Sequence, residues 1–257
     1  MPDHGSHGPL GARMVVVGLA AGLLSGVFGV GGGVLIVPGL MWVVAMEQKR
    51  AHGTSLAAVL PIAVTGLVTY LIYGNVDWFA AAFLVLGALP GAVLGTKWLV
   101  RANKRVLTWL FIVVALASAV RLFVGVDVSD TAARSATLAL SLAAVGFVTG
   151  VLAGLLGIGG GIVMVPALML LGGLPAVLAK GTSLAAIVPT SIVGTWRNRK
   201  TANVDVHAGV TVGVAGAATA VVGGVIAEAL PERAAAVSFA VLMIVVCARL
   251  ALSDRRA

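Results

Sequence analysis

Ser25-Gly26-Val27-Phe28-Gly29-Val30-Gly31-Gly32-Gly33-Val34-Leu35-Ile36-Val37-Pro38 returns, barely altered, as Ala153-Gly154-Leu155-Leu156-Gly157-Ile158-Gly159-Gly160-Gly161-Ile162-Val163-Met164-Val165-Pro166. From Gly31 to Gly159, and from Pro38 to Pro166, the spacing is the same 128 positions. That offset also carries Gly53-Thr54-Ser55-Leu56-Ala57-Ala58 onto Gly181-Thr182-Ser183-Leu184-Ala185-Ala186, Pro61 onto Pro189, and Asn75-Val76-Asp77 onto Asn203-Val204-Asp205. Each glycine run lies inside a long apolar stretch, so the chain reads as two copies of one membrane unit, each interrupted by glycine. In transporters built from internal repeats, matched interruptions of this kind point to the binding site.

With 60% hydrophobic and 10% charged residues over 257 positions, the chain cannot cover a soluble domain with polar groups. It is expected to be an all-α integral membrane protein embedded in the lipid bilayer. Residues 1–9 are polar and lack the basic and short apolar regions of a cleaved signal, so the next apolar segment is expected to stay in the chain, with no soluble domain appended. The net charge of +8 forms no basic helix face, which argues against nucleic acid; topology and anionic headgroups account for it. Cys247, the single cysteine, rules out an intrachain disulfide and a cysteine metal cluster.

Apolar segments run over 13–46, 54–74, 78–99, 106–124, 136–172, 182–197, 206–227 and 234–252. Six match one crossing, whereas 13–46 and 136–172 are too long for one and carry the glycines near their middle. The reading is therefore a helix–break–helix hairpin in each, with the freed backbone groups satisfied by protein or water. Lys49 and Arg50, and then Lys97, Arg101, Lys104 and Arg105, mark cytoplasmic connections in the first copy. In the second copy Arg197, Arg199 and Lys200 occupy the connection whose counterpart, around Gly74-Asn75, has no cation, while Glu228, Glu232 and Arg233 replace the first copy's basic loop. Two inverted-topology repeats follow, each a Gly-broken hairpin plus three transmembrane helices, with Lys180 and Arg134 as dissenting charges. The division is a polar cytoplasmic N-terminus (1–12), a first repeat (13–125), a connecting loop (126–135), a second repeat (136–252) and a basic cytoplasmic tail (253–257).

All nine acidic residues lie at segment ends or in connections, which disfavours a pump with a mid-span carboxylate and an intramembrane protease. His4, His7, His52 and His207 lack metal-ligand spacing, and no nucleotide motif is present. No cofactor or metal is expected. What the midplane holds is backbone. After each break, at Gly31, Gly32 and Gly33 and at Gly159, Gly160 and Gly161, a half-helix begins whose unpaired N–H groups and dipole form a site for a small anion. Close packing is the alternative use of such glycines, and the expected one for Gly22, Gly26 and Gly29 and for Gly150, Gly154 and Gly157. Thr54, Ser55, Thr182 and Ser183 either cap their helices or face the ligand. Pro38, Pro61, Pro166 and Pro189 mark helix breaks or hinges. His52, Lys180 and Arg197 are candidates for attracting an anion, against solvated or interfacial positions for His52 and Lys180 and a purely topological role for Arg197. Asn75, Asp77, Asn203 and Asp205 read as N-caps, and Arg121 and Arg249 as snorkelling cations.

The paired G-x-G-G-G…P hairpins, the paired G-T-S-L-A-A segments and the Asn-Val-Asp turns resemble the sulfite exporter TauE/SafE family over essentially the whole chain. The resemblance implies movement of sulfite, thiosulfate, sulfonates such as sulfoacetate, or other organic anions across the bacterial inner membrane. Some thiosulfate-transporting relatives use cysteines along the path; Cys247 matches no such site. The expected function is secondary transport of a small sulfur-containing anion by alternating access, in a multi-pass protein with both termini cytoplasmic. A passive anion channel and a non-transporting scaffold are the rivals, and a homo-oligomer is compatible with the sequence.

Overall fold

A computed structural model describes residues 7–98, 109, 112, 134–200 and 203–231, with isolated positions at 233, 234, 237, 238, 240, 241, 244, 245, 248 and 252. Its described residues form helices and connections, with no strand among them. In chain order these are α1 (His7–Phe28), α2 (Gly33–Trp42), α3 (Gln48–Ile72), α4 (Trp78–Trp98), α5 (Ala136–Leu156), α6 (Gly161–Gly172), α7 (Ala176–Lys200) and α8 (Val206–Ala229). The 128-residue offset maps α1 to α4 onto α5 to α8 almost residue for residue. Their apolar composition and length make the chain an all-α integral membrane protein.

Contacts at glycine fix the helix directions, because a helix lacking Cβ lets its neighbour's backbone approach closely. Along α1, Gly18, Gly22 and Gly26 meet Val212, Gly216 and Ala220 of α8 in rising order, so the two run parallel. Gly87, Gly91 and Gly95 of α4 meet Ala143, Phe147 and Val151 of α5 in the same sense. Gly209 and Gly224 of α8 meet Ala57 and Thr69 of α3, again parallel, whereas Gly66 meets Leu184 and Gly194 meets Leu56, so α3 and α7 are antiparallel. Helices α1, α3 and α8 therefore run one way and α7 the other, so that α3 is antiparallel to its repeat counterpart α7, while α4 and α5 run parallel to each other. The packing role expected of Gly22, Gly26, Gly150 and Gly154 is what the structure has: each faces the backbone of the partner helix.

Six described helices are long and apolar enough to cross a membrane: α1, α3, α4, α5, α7 and α8. This differs from the segment reading, in which 13–46 and 136–172 contain no full crossing. The first arm of each hairpin is full length, and only α2 (10 residues) and α6 (12 residues) are short, about 15–18 Å at the helical rise. Helix α2 folds back along α1, Gly32 lying on Ala21 and Gly39 on Val17, so the hairpin returns to its end of entry. Segment 106–124 falls almost wholly outside the described residues and 234–252 is described only at scattered positions, while Arg121, Cys247 and Arg249 lie outside them.

The directions sort the surface. Trp42, Trp98 and Trp196 lie exposed at one end of the bundle and Tyr73 and Trp78 at the other, the placement of interfacial aromatic belts. Between them Val16, Leu86, Val214 and Leu140 face outward, toward lipid. Arg13, Lys49, Arg50, Lys97, Arg197, Arg199 and Lys200 share the end with Trp42; Arg134 and Lys180 lie toward the opposite one.

Candidate functional site

The two glycine breaks meet in the middle of the bundle. Gly29, Gly31 and Gly32 have φ of 68°, 78° and 75°, and Gly157, Gly159 and Gly160 have 67°, 78° and 83°. Residues with a Cβ avoid this left-handed region, which is why the motif is spelled in glycine. A Cβ on Gly33 would sit 2.7 Å from Ile158 Cα, and one on Gly161 2.6 Å from Val30 Cα, so the tips cross backbone to backbone. Gly31 and Gly159 both face Val59 and Ile187, near the midpoints of α3 and α7.

Helices α2 and α6 start at this crossing, with Gly32 and Gly160 as N-caps that provide no side-chain bond. The N–H groups of Leu35 and Ile36 reach Gly32 O at 3.0 and 3.1 Å, and those of Val163 and Met164 reach Gly160 O at 3.1 and 3.2 Å. Ahead of them, the N–H groups of Gly33, Val34, Gly161 and Ile162 make no hydrogen bond among the described residues. Buried donors without partners are uncommon in native proteins. Both pairs lie where the positive end of a helix dipole falls. Pro38 and Pro166 lie inside these same short helices.

The Gly-Thr-Ser segments do not cap helices. Helices α3 and α7 begin at Gln48 and Ala176, six residues before Thr54 and Thr182, because Lys49, Arg50, His52 and Lys180 extend the helices beyond the apolar runs. Thr54, Ser55, Thr182 and Ser183 are fully buried. Ser55 Oγ donates to Gly157 O at 2.7 Å, and Ser183 Oγ to Gly29 O at 2.5 Å. Each repeat thus holds the other's hairpin tip. Thr54 Oγ1 accepts from Asp205 N and Thr182 Oγ1 from Asp77 N, both at 2.9 Å. Asp77 and Asp205 are the expected N-caps, bonding Ala80 N and Ala208 N at 3.1 and 3.0 Å. Asn75 instead donates to both Glu228 carboxylate oxygens at 2.8 Å. Replacing Ser55 or Ser183 by alanine orphans a buried tip carbonyl, and each variant should lose about 1–3 kcal/mol, read as a lower unfolding midpoint in detergent.

His52 and Lys180 occupy neither solvated nor interfacial positions: they are 9% and 1% exposed. Tertiary packing at the tips overrides the tendency of such side chains to reach water, since Gly157 lies against His52 and Gly29 against Lys180. His52 Nδ1 lies 2.6 Å from Leu156 O, while Lys180 Nζ makes no hydrogen bond among the described residues. Arg197 lies away from the tips, in the last turn of α7 beside Arg199 and Lys200, and Lys200 Nζ stands 3.7 Å over the Trp196 ring. Pro61 packs toward Gly213 of α8 rather than toward the tips; Pro189 lies inside α7. Two buried groups carry no sequence signal: Ser25, whose hydroxyl is unpartnered, and Tyr70, which donates to Gly26 O at 2.7 Å. No group of three or more histidine, cysteine or acidic residues suited to a metal occurs among the described residues.

The model of the sulfite exporter TauE/SafE family matches residues 2–122 and 142–257. The chain is 31% identical to the probable membrane transporter protein YunE of Bacillus subtilis, over 70% of this chain and 75% of the relative. It is 32% identical to a probable membrane transporter protein of Xylella fastidiosa (70% and 69%), and 28% identical to the probable membrane transporter protein MJ0441 of Methanocaldococcus jannaschii (70% and 69%). No solved structure matches the chain significantly.

Proposed function

The chain belongs to the sulfite exporter TauE/SafE family and is a multi-pass membrane transport protein; from that premise we propose that it is a secondary transporter of a small sulfur-containing anion, sulfite or an organosulfonate such as sulfoacetate. The anion is held at the crossing of the two hairpins, by the N–H groups that open α2 and α6. The carrying observation is those four buried donors with no partner among the described residues, at helix ends whose dipoles favour negative charge. A site made of donors alone rejects cations and needs no buried carboxylate.

The units 13–125 and 136–252, joined by 126–135, act as the two moving halves, with Gly31, Gly32, Gly33, Gly159, Gly160 and Gly161 at the site. Thr54, Ser55, Thr182 and Ser183 shape it by fixing the tips, and Pro38, Pro61, Pro166 and Pro189 are where the helices yield. The end bearing Arg13, Lys49, Arg50, Lys97, Arg197, Arg199 and Lys200 faces the cytoplasm of a bacterial inner membrane under the positive-inside rule, and Arg197 draws anions to that mouth. The antiparallel pairing of the counterparts α3 and α7 supports this inverted arrangement, in which rocking of one half exposes the site alternately. Backbone contact between the tips, flanked by Val59 and Ile187, fills the middle of the bundle and favours alternating access over an open channel.

Purified protein in proteoliposomes tests the reading through uptake of labelled sulfite, sulfoacetate and thiosulfate. Saturable flux of one anion is the expected outcome. Flux of none of them, with correctly inserted protein, would leave a non-transporting scaffold or a non-sulfur substrate instead, and unsaturable flux at channel rates would replace the transporter with a pore.

A further inference from the structure

Toward the end of the bundle that carries Tyr73 and Trp78, α1, α3, α7 and α8 meet around one buried amine. Lys180 of α7 is buried, and its Nζ makes no hydrogen bond among the described residues. A Cβ on the adjacent Gly181 would collide with Asn75 O and Tyr70 Cβ, so α7 is pressed onto the turn that ends α3. From that turn Asn75 reaches α8, its Nδ2 donating to both Glu228 carboxylate oxygens at 2.8 Å. Tyr70 is fully buried and donates to Gly26 O of α1. The Glu228 carboxylate acts electrostatically on both Lys180 and Tyr70. The other charged groups described at this end point elsewhere: Asp77 caps α4, Arg134 stands 5.6 Å over the Phe79 ring, and Arg233 is exposed. Helices α2, α5 and α6 carry no ionisable side chain, and those of α1, His7 and Arg13, lie at its far end. The repeat does not copy this charge set, since the 128-residue offset places His52 at Lys180, Asn198 at Tyr70 and Val100 at Glu228.

Glu228 is half-buried in the last turn of α8, so water on this side reaches it. Its carboxylate is held by a neutral amide and not by the amine, which leaves the charge of Lys180 open to a second anion. We propose that Glu228 is the counter-ion of Lys180 in the empty protein and that its charge sets the affinity for the transported anion. An anion at the tips and the carboxylate share the field of one amine and repel each other. A proton taken from water by Glu228 removes that repulsion, so proton and anion promote each other's binding by the same factor. One negative charge then replaces another beside the amine. This deepens the anion-transport reading and rests on it, adding a proton as the linked ion.

The test is saturation of sulfoacetate flux in proteoliposomes with equal pH on both sides, for wild type, Glu228→Gln and Asn75→Ala. Sulfoacetate serves because its charge is constant over about pH 6–8, well above the carboxyl range of about 4. Glu228→Gln should lower KM about tenfold, the effect of removing one unit charge about 10–15 Å away at an effective dielectric constant of about 20. Tighter binding is a result that damage to the fold does not produce. Asn75→Ala breaks the same hydrogen bonds but keeps the charge, and should not lower KM. Wild-type KM should fall toward acid pH, as Glu228 gains its proton, and Glu228→Gln should be flat; the wild-type profile needs no variant to fold. An unchanged or raised KM in Glu228→Gln, an equal fall in Asn75→Ala, a flat wild-type profile, or a profile that persists in Glu228→Gln overturns the inference and leaves the transport reading standing. Absent flux in wild type overturns both.

Discussion

A single methyl group at the crossing of the tips, in Gly33→Ala or Gly161→Ala, should lower anion flux by about a hundredfold, the scale on which misplacement by about 1 Å acts in preorganised sites. The reason is geometric. At Gly33 the new Cβ meets Gly157 O at 2.8 Å and Ile158 Cα at 2.7 Å; at Gly161 it meets Val30 Cα at 2.6 Å and Gly29 O at 2.9 Å. These neighbours are backbone, which cannot swing aside as a side-chain end can, so one tip must back away from the other. Overpacking of this kind costs about 1–3 kcal/mol, small beside the burial that holds six apolar helices in a bilayer, so insertion should survive. Substitution at Gly32 and Gly160 acts differently. There φ is 75° and 83°, and leucine at both would add left-handed strain of about 1–2 kcal/mol per residue at the N-caps of α2 and α6. The check is flux together with the elution profile of the purified variants. Normal flux from Gly33→Ala and Gly161→Ala would remove the tips from the transport path, whereas aggregated protein would make these glycines a folding requirement.

Much of this arrangement is legible in the sequence because glycine and proline are local signals. The left-handed turns at Gly29, Gly31 and Gly32 admit little else, and their reappearance at Gly157, Gly159 and Gly160 exposes the repeat without any knowledge of packing. The caps at Asp77 and Asp205 are readable for the same reason, since a cap bonds three residues along its own chain. What cannot be read is anything that depends on a partner distant in sequence. Ser55 and Ser183 bond tip carbonyls more than a hundred residues away, so a local reading finds only two helix caps or two ligands. Hydropathy also misplaces the starts of α3 and α7, because it counts His52 and Lys180 as water-facing when the opposing hairpin buries them. The full-length first arms are missed for a related reason: a long apolar run gives the total chain within the membrane but not where the break divides it. Ser25 is invisible by every local rule, one serine among small residues on a helix.

Lys180→Met should lower the kcat/KM of anion transport by about ten- to a hundredfold while leaving the folded protein no less stable. Lys180 is the buried cation of α7, 1% exposed with its Nζ unbonded among the described residues, about 10 Å along the helix from Ile187 at the tips by the helical rise. The Glu228 carboxylate acts on this amine electrostatically, yet burying an amine that makes no hydrogen bond is expensive, and one inside a membrane span marks function by default. Methionine keeps the length and removes the unbonded amine, and the Glu228 carboxylate keeps its two hydrogen bonds from Asn75, so a stability loss is not expected. Transport should suffer, because a positive charge about 10 Å from a bound anion attracts it by about 1.7 kcal/mol at an effective dielectric constant of about 20. Lys180→His separates charge from packing. Its repeat counterpart His52 sits 2.6 Å from Leu156 O, and the carbonyl equivalent to that of Leu156 is Phe28 O. A neutral histidine at 180 bonded there would restore polar satisfaction without restoring a permanent charge. If Lys180→His transports as poorly as Lys180→Met, charge is what the site uses; if it transports normally, or if Lys180→Met does, the amine has no part in anion binding and its burial is a matter of packing against Gly29.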